Sequence, residues 1–261
     1  MKTRIISGLV MAPLILVCIF RGLPLTISAF IIAVMGIWEL FRGFGDIAIK
    51  PNLIVAYVSV IALYAIHFLV PNNPNYLTLW VVLSVMASMI SSFDLQNRSL
   101  QDAMATLTGI LYVGFFSYHM VLIAGTEYGV LVWMAIITAF CTDIGAYFAG
   151  SFLGKRKLCP NLSPKKTIEG SIGGILSALI VSIVFGLIAH ISIFPHIIIM
   201  AVLGSIMSQL GDLTASAFKR KMDIKDFGNL IPGHGGILDR FDSVLFTAPT
   251  IYYYIVLVMR G

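Results

Sequence analysis

Apolar stretches separated by short polar breaks run the length of the chain, at residues 5–20, 23–41, 53–70, 77–93, 105–124, 128–150, 171–189, 195–217 and 241–259. Each is long enough to cross a bilayer as a helix, the first only just. The pattern predicts an all-α, polytopic integral membrane protein with about nine transmembrane helices. Composition agrees: 59% of residues are hydrophobic, 11% are charged and the mean hydropathy is +0.96, values that exclude a soluble domain of 261 residues.

Charge placement tests the span count independently, because Lys and Arg collect on the cytoplasmic side. With nine spans, one face holds Lys2, Arg4, Arg42, Lys50, Arg98, Lys155, Arg156, Lys157, Lys165, Lys166, Lys219, Arg220, Lys221, Lys225 and Arg240. Only Arg21 and Arg260 fall on the other, so the amino terminus and both basic loops are expected in the cytoplasm. Lys2 and Arg4 before an apolar run also resemble a cleavable leader. Val17 is bulky where cleavage needs a small residue and Arg21 flanks another span, so the run is read as a first transmembrane helix. Cys18, Cys141 and Cys159 show neither metal spacing nor a disulfide framework.

Polar residues divide the chain unevenly. Residues 1–125 read as scaffold helices, with Glu39 a carboxylate in apolar company, and residues 126–261 as a catalytic half of the same membrane domain. Asp143 and Asp212 lie inside spans, each expected roughly 8 to 11 Å from its helix end at ~1.5 Å per residue. An unpaired carboxylate costs about 2.5 to 3.5 kcal/mol at mid-bilayer, so the two together predict a polar cavity. The bland alternative for either alone is a structural ion pair or a protonated, hydrogen-bonded acid. Ser205, Ser208, Asp212, Ser216 and Lys219 recur at intervals of three and four and share one helix face, a stripe leading from the membrane to its rim. Asp143 and Tyr147 stand four apart, and Asp239 and Asp242 three apart. A hard cation such as Mg²⁺ takes one or two carboxylates plus water and phosphate, and Asp212 and Asp239 are the ligands expected here.

Between two apolar runs, residues 216–242 concentrate five cations, four aspartates, His234 and four glycines. In Pro232-Gly233-His234-Gly235-Gly236 the glycines permit close backbone approach, so that amide N–H groups can face an anion. The bland alternative is a flexible turn, but Lys219, Arg220, Lys225 and Arg240 around it favour a phosphate cradle. A second basic loop carries Ser163, Pro164, Lys165, Lys166 and Thr167, suited to capping a helix and to binding phosphate, with Glu169 complementing the helix's positive end. It is not a Walker A loop, because Arg156 stands where Ser or Thr is required.

The run Ser216-x-Phe218-Lys219-Arg220-x4-Lys225-Asp226-x-Gly228-x2-Ile231-Pro232-x-His234-Gly235-Gly236-x2-Asp239-Arg240-Phe241-Asp242 resembles the signature of the phosphatidate cytidylyltransferases, or CDP-diacylglycerol synthases. The resemblance implies condensation of CTP with phosphatidate to give CDP-diacylglycerol and pyrophosphate, a Mg²⁺-dependent step of phospholipid biosynthesis at the cytoplasmic side of the cell inner membrane. It implies catalytic roles for Asp212, Lys219, Arg220, Lys225, Asp226, His234, Asp239 and Arg240, and phosphate contacts from Ser216, Gly235, Gly236, Ser163, Lys165 and Lys166. For His234, phosphate contact is favoured over protonating pyrophosphate or holding the loop. Asp143, Tyr147 and Asp242 are read as lining the polar cavity or orienting its ligands, and a second cation is left open. A homodimer in contact with membrane lipids is expected, and no nucleic-acid partner. Gly170, Gly173, Gly174 and Ser177 would allow close helix packing within a protomer or between protomers.

Other classes make different demands. A cation-coupled transporter would also carry Glu39, Asp143 and Asp212, but has no need of the dense 216–242 loop. The Asp-Gly-x2-Ala-Arg motif of CDP-alcohol phosphotransferases is absent, as is the Gly-x-Ser-x-Gly elbow of serine esterases. A CTP-dependent lipid kinase is the nearest competitor, distinguished by releasing CDP rather than pyrophosphate.

Overall fold

The computed structural model describes residues 20–70, 75–189, 193–230 and 235–259. Eight helical rods follow one another: α1 (Gly22–Asp46), α2 (Leu53–Leu69), α3 (Tyr76–Ile90), α4 (Leu100–Ala124), α5 (Gly129–Leu153), α6 (Ile168–Ile188), α7 (Phe194–Lys221) and α8 (Leu238–Met259). Six of them are long and apolar enough to cross a membrane, while α2 and α3 are shorter apolar helices. The expected first span, 5–20, lies almost wholly outside the described residues, so the structure bears out a multi-span helical membrane protein and not the number nine.

Capping explains where several helices begin. The Asn52 side chain accepts from Val55 N at 3.1 Å at the start of α2, and Ser99 and Asp102 form a reciprocal capping box on α4. That box starts α4 five residues before the apolar run, because Gln101 and Asp102 belong to the helix although they are polar. α7 likewise runs on through Lys219, Arg220 and Lys221, cations in the last turn that suit the negative end of its dipole. Asp143 and Asp212 are consequently about 14 to 15 Å from their helix ends at ~1.5 Å per residue, deeper than expected.

Between α5 and α6 the basic loop is more ordered than a turn. Lys157–Cys159 (β1) pairs antiparallel with Ser163–Thr167 (β2) in a small hairpin. Thr167 ends β2 and caps α6, accepting from Gly170 N at 3.1 Å. Glu169 turns back to the hairpin, accepting from Lys155 N at 3.0 Å and Arg156 N at 3.2 Å. The small residues of α6 serve packing within the protomer: a Cβ on Gly173 would overlap the Ala149 side chain of α5, and one on Gly174 would stand 2.8 Å from the Thr142 carbonyl oxygen.

Two apolar clusters make up the interior. One joins α4, α5, α7 and α8 through residues such as Met134, Met200, Ala248 and Ile251. The other joins α1, α2 and α4 through Ile37, Val60, Leu63 and Ile110. The start of α8 belongs to both, with Ile237 and Phe241 in the first and Leu238 in the second. Large apolar side chains such as Ile54, Phe68, Phe152 and Leu187 point outward, as lipid contact requires.

One end of the bundle gathers the basic residues. Lys50 N donates to Asp102 Oδ1 at 2.6 Å and the Arg98 guanidinium reaches the Lys50 carbonyl, tying the α1–α2 and α3–α4 connections together. The hairpin, the end of α7 and the start of α8 join the same face through Lys166–Asp212, Lys219–Asp239 and Glu39's bonds to α8.

Candidate active site

Below the hairpin, α5, α6 and α7 enclose a cavity of about 400 Å³ lined in part by Asp143, Tyr147, Lys165, Lys166, Thr167, Gln209 and Asp212. The volume suits a small polar ligand or a lipid headgroup. α5 brings Asp143 and Tyr147 one turn apart on the cavity side, and α7 brings Gln209 and Asp212 from opposite. β2 places Lys166 over them, where its ammonium forms an ion pair with Asp212 Oδ2. Gln209 Nε2 donates to the Ser171 carbonyl at 3.3 Å, holding α6 to α7 at the cavity wall.

A second ion pair lies beside this one, where Lys219 at the end of α7 meets Asp239 in the first turn of α8 at 2.8 Å. Asp239 is nearly enclosed, and its other oxygen accepts from Phe227 N at 2.8 Å and Gly236 N at 2.9 Å. The Lys219 ammonium also stands 5.3 Å over the Phe227 ring. Asp242, one turn along α8, is buried within electrostatic range of Asp212, Lys219 and Asp143. Ser243 links two of these acids, its N–H donating to Asp242 Oδ1 at 2.7 Å and its hydroxyl to Asp143 Oδ2 at 3.4 Å.

The structure therefore brings together Asp143, Tyr147, Lys165, Lys166, Asp212, Lys219, Asp239 and Asp242. Arg240 is half-buried, and its Nε has no hydrogen-bond partner among the described residues, leaving a donor free in the acidic surroundings. Arg220, Lys225 and Asp226 are exposed, and Ser163 and Ser216 are half-buried at the rim. Gly235 adopts a positive φ of 84°, and the amide of Gly236 is already directed at Asp239. His234, with Pro232 and Gly233, lies outside the described residues. The deep end of the serine stripe seals a helix interface instead of lining a route: Ser205 accepts from the Thr142 hydroxyl at 2.7 Å, and Ser208 bonds the Ala139 carbonyl at 3.5 Å.

Gln209 and Ser243 were not anticipated. Each sits within three residues of an anticipated aspartate on its own helix, and that proximity was the available signal.

Asp143, Asp212 and Asp242 lie within electrostatic range of one another, with Lys166, Lys219 and Arg240 as the cations around them, and among the described residues Lys166 ion-pairs with Asp212. No three acid, His or Cys groups among the described residues converge tightly enough to hold a metal unaided. Mg²⁺ commonly takes one or two carboxylates and leaves its other positions to water and substrate phosphate, so that arrangement is compatible with it.

A multi-span helical bundle with acids and lysines paired around a cavity at one face defines a membrane enzyme that handles anions. The chain belongs to the cytidylyltransferase family, whose family model matches residues 2–258, and it is thus a nucleotidyltransferase. It is 35% identical to the phosphatidate cytidylyltransferase of Bacillus subtilis over 98% of both chains. It is 36% identical to the enzymes of that name from Staphylococcus epidermidis and Staphylococcus aureus, over 95% of each chain.

Proposed function

We propose that the protein condenses CTP with phosphatidate, releasing pyrophosphate and forming CDP-diacylglycerol for phospholipid biosynthesis. The observation that carries this reading is the pair of lysine–aspartate contacts, Lys166–Asp212 in the cavity and Lys219–Asp239 next to it, flanked by the exposed side chains of Tyr147 and Phe148. Such a place can admit a lipid phosphate from the bilayer and a nucleotide from water.

The lipid phosphate is ionised near neutral pH and attacks the α-phosphorus of CTP in line, so no nucleophilic side chain or strong base is needed. Catalysis is then positioning and charge neutralisation. Lys166 and Lys219 rest on carboxylates and turn to phosphate oxygens when substrates arrive. Arg240, with its unpartnered Nε, and the exposed Lys165, Arg220 and Lys225 hold the remaining phosphate charge, Arg in a bidentate manner. Asp212 and Asp239, released from their lysines, would hold Mg²⁺, with Asp242 and Asp143 alongside; bound there, the ion supplies charge stabilisation for the departing pyrophosphate. His234 contacts phosphate, and Ser163, Ser216, Gly235 and Gly236 line its path. A second cation would fit the remaining acids.

In this reading the chain spans the inner membrane nine times with the basic face in the cytoplasm, residues 1–125 support the catalytic half, and two copies pair among membrane lipids. The test is an assay of purified protein in detergent with phosphatidate, labelled CTP and Mg²⁺. Lipid-linked CMP and pyrophosphate should appear in equal amounts. Release of CDP with a phosphorylated lipid would overturn the reading in favour of a kinase, and CTP left unconsumed would overturn it in favour of a transporter.

A further inference from the structure

Glu39 sits in the scaffold half, on α1, and among the described residues its hydrogen bonds go to backbone amides and not to a side chain of the proposed reaction centre. It is nevertheless fully buried, and both of its oxygens are engaged by backbone from the far end of the chain. Oε1 accepts from Ile237 N at 3.0 Å and Oε2 from Leu238 N at 2.8 Å. These are orphan amides of the α8 amino terminus, which receives no capping bond from a side chain at its own N-cap position. A carboxylate from another helix supplies the cap and meets the positive end of the α8 dipole.

Two glycines of the 216–242 segment make room for this arrangement. A Cβ on Gly228 would stand 2.6 Å from Glu39 Oε1, and one on Gly236 would overlap the same carboxylate. Gly228 and Gly236 therefore close on Glu39 from two sides. Asp239 grips the segment as well, through the amides of Phe227 and Gly236. Between them the two acids take the consecutive N–H groups of residues 236, 237 and 238, which sets the direction in which α8 leaves the loop. Lys219's partner Asp239, Arg240 and the buried Asp242 all follow within the next turn and a half.

We infer that Glu39 is a positioning residue for the cytidylyl transfer, a buried carboxylate clamp that fixes Gly228, Gly236 and the α8 amino terminus so that Asp239, Arg240 and Asp242 keep their places beside Lys219, Asp143 and Asp212. This rests on the proposed function for the reaction that it supports. The clamp needs two acceptors. Glu39→Gln keeps the volume but turns an NH₂ group toward one of two amide donors, leaving a donor facing a donor in a buried place. Glu39→Asp keeps both acceptors one methylene short.

The experiment compares three variants of the full chain in detergent: Glu39→Gln, Glu39→Asp and Asp102→Asn. The last removes a buried acid that caps α4 and holds Lys50 N, and that bonds none of the amides of residues 236–238. Folded fraction, kcat, KM and amide hydrogen exchange of residues 235–240 are measured for each. Glu39→Gln should lower kcat per folded molecule at least tenfold and speed exchange at Ile237 and Leu238. Glu39→Asp should recover part of both. Asp102→Asn should lose stability with kcat per folded molecule unchanged. A Glu39→Gln protein with wild-type kcat per folded molecule would overturn the inference, as would loss of activity only in proportion to loss of folded protein. A wild-type chain that makes no CDP-diacylglycerol would overturn the function instead, while unchanged exchange in Glu39→Gln would overturn the clamp whatever the chain catalyses.

Discussion

Asp212 and Asp239 occupy similar chemical positions by different means. Asp212 faces an open cavity with one lysine on it, whereas Asp239 is almost enclosed, with a lysine on one oxygen and two amides on the other. Asn at either position preserves shape and removes the charge. Asp212→Asn and Asp239→Asn should each reduce kcat/KM at least ~100-fold, about 2.7 kcal/mol of transition-state stabilisation, while the proteins still elute as folded species on gel filtration in detergent. Near-wild-type turnover in both would remove these acids from the reaction. In the sequence Asp212 drew notice as a carboxylate inside an apolar helix and Asp239 as an acid at the entry to the last span; their part in the reaction is the proposal that these variants test. Glu39 drew the same notice, but its partners are backbone amides almost 200 residues away, which carry no residue-type signature. The Lys166–Asp212 pairing was equally hidden, because both residues were read separately as ligands for substrate and metal.

At the scale of elements, the apolar runs located eight helices, and the errors cluster at their ends. Gln101 and Asp102, Lys219 to Lys221, and Asp239 and Arg240 all continue helices beyond the apolar stretch, since hydropathy marks what lipid contacts while hydrogen bonding marks where a helix stops. The hairpin of β1 and β2 was read as a turn-rich loop, its strands being too short and too polar for period-two alternation to show. The crossing of α5 and α6 can be tested directly. Gly173→Leu should wedge the helices apart where Ala149 now touches, costing about 1 to 3 kcal/mol in stability. Because Asp143 and Lys166 reach the cavity from these two helices and their hairpin, activity should fall more steeply than folded yield. A thermal scan beside the CTP assay measures both.

At the scale of the whole molecule, the described cations other than Arg21 gather at one end of the bundle, in line with the charge asymmetry that suggested its orientation. Cys159 in the hairpin offers a direct reading of that orientation, being free and half-exposed at the basic end. A membrane-impermeant maleimide should label it in inverted vesicles and leave it unlabelled in sealed right-side-out cells, with a Cys159→Ser chain as the blank. Labelling from outside would reverse the proposed topology. The two resting ion pairs also bear on how the molecule behaves in a cell full of stray anions. Lys166 and Lys219, each half-buried, are already matched to a carboxylate, so an incoming phosphate must separate a pair of charges to reach either ammonium. A lone inorganic phosphate offers too few contacts to offset two such separations, whereas a triphosphate engaging several cations at once can. Under the proposed function the two paired lysines would in this way discriminate against small competitors before any base or acyl chain is read.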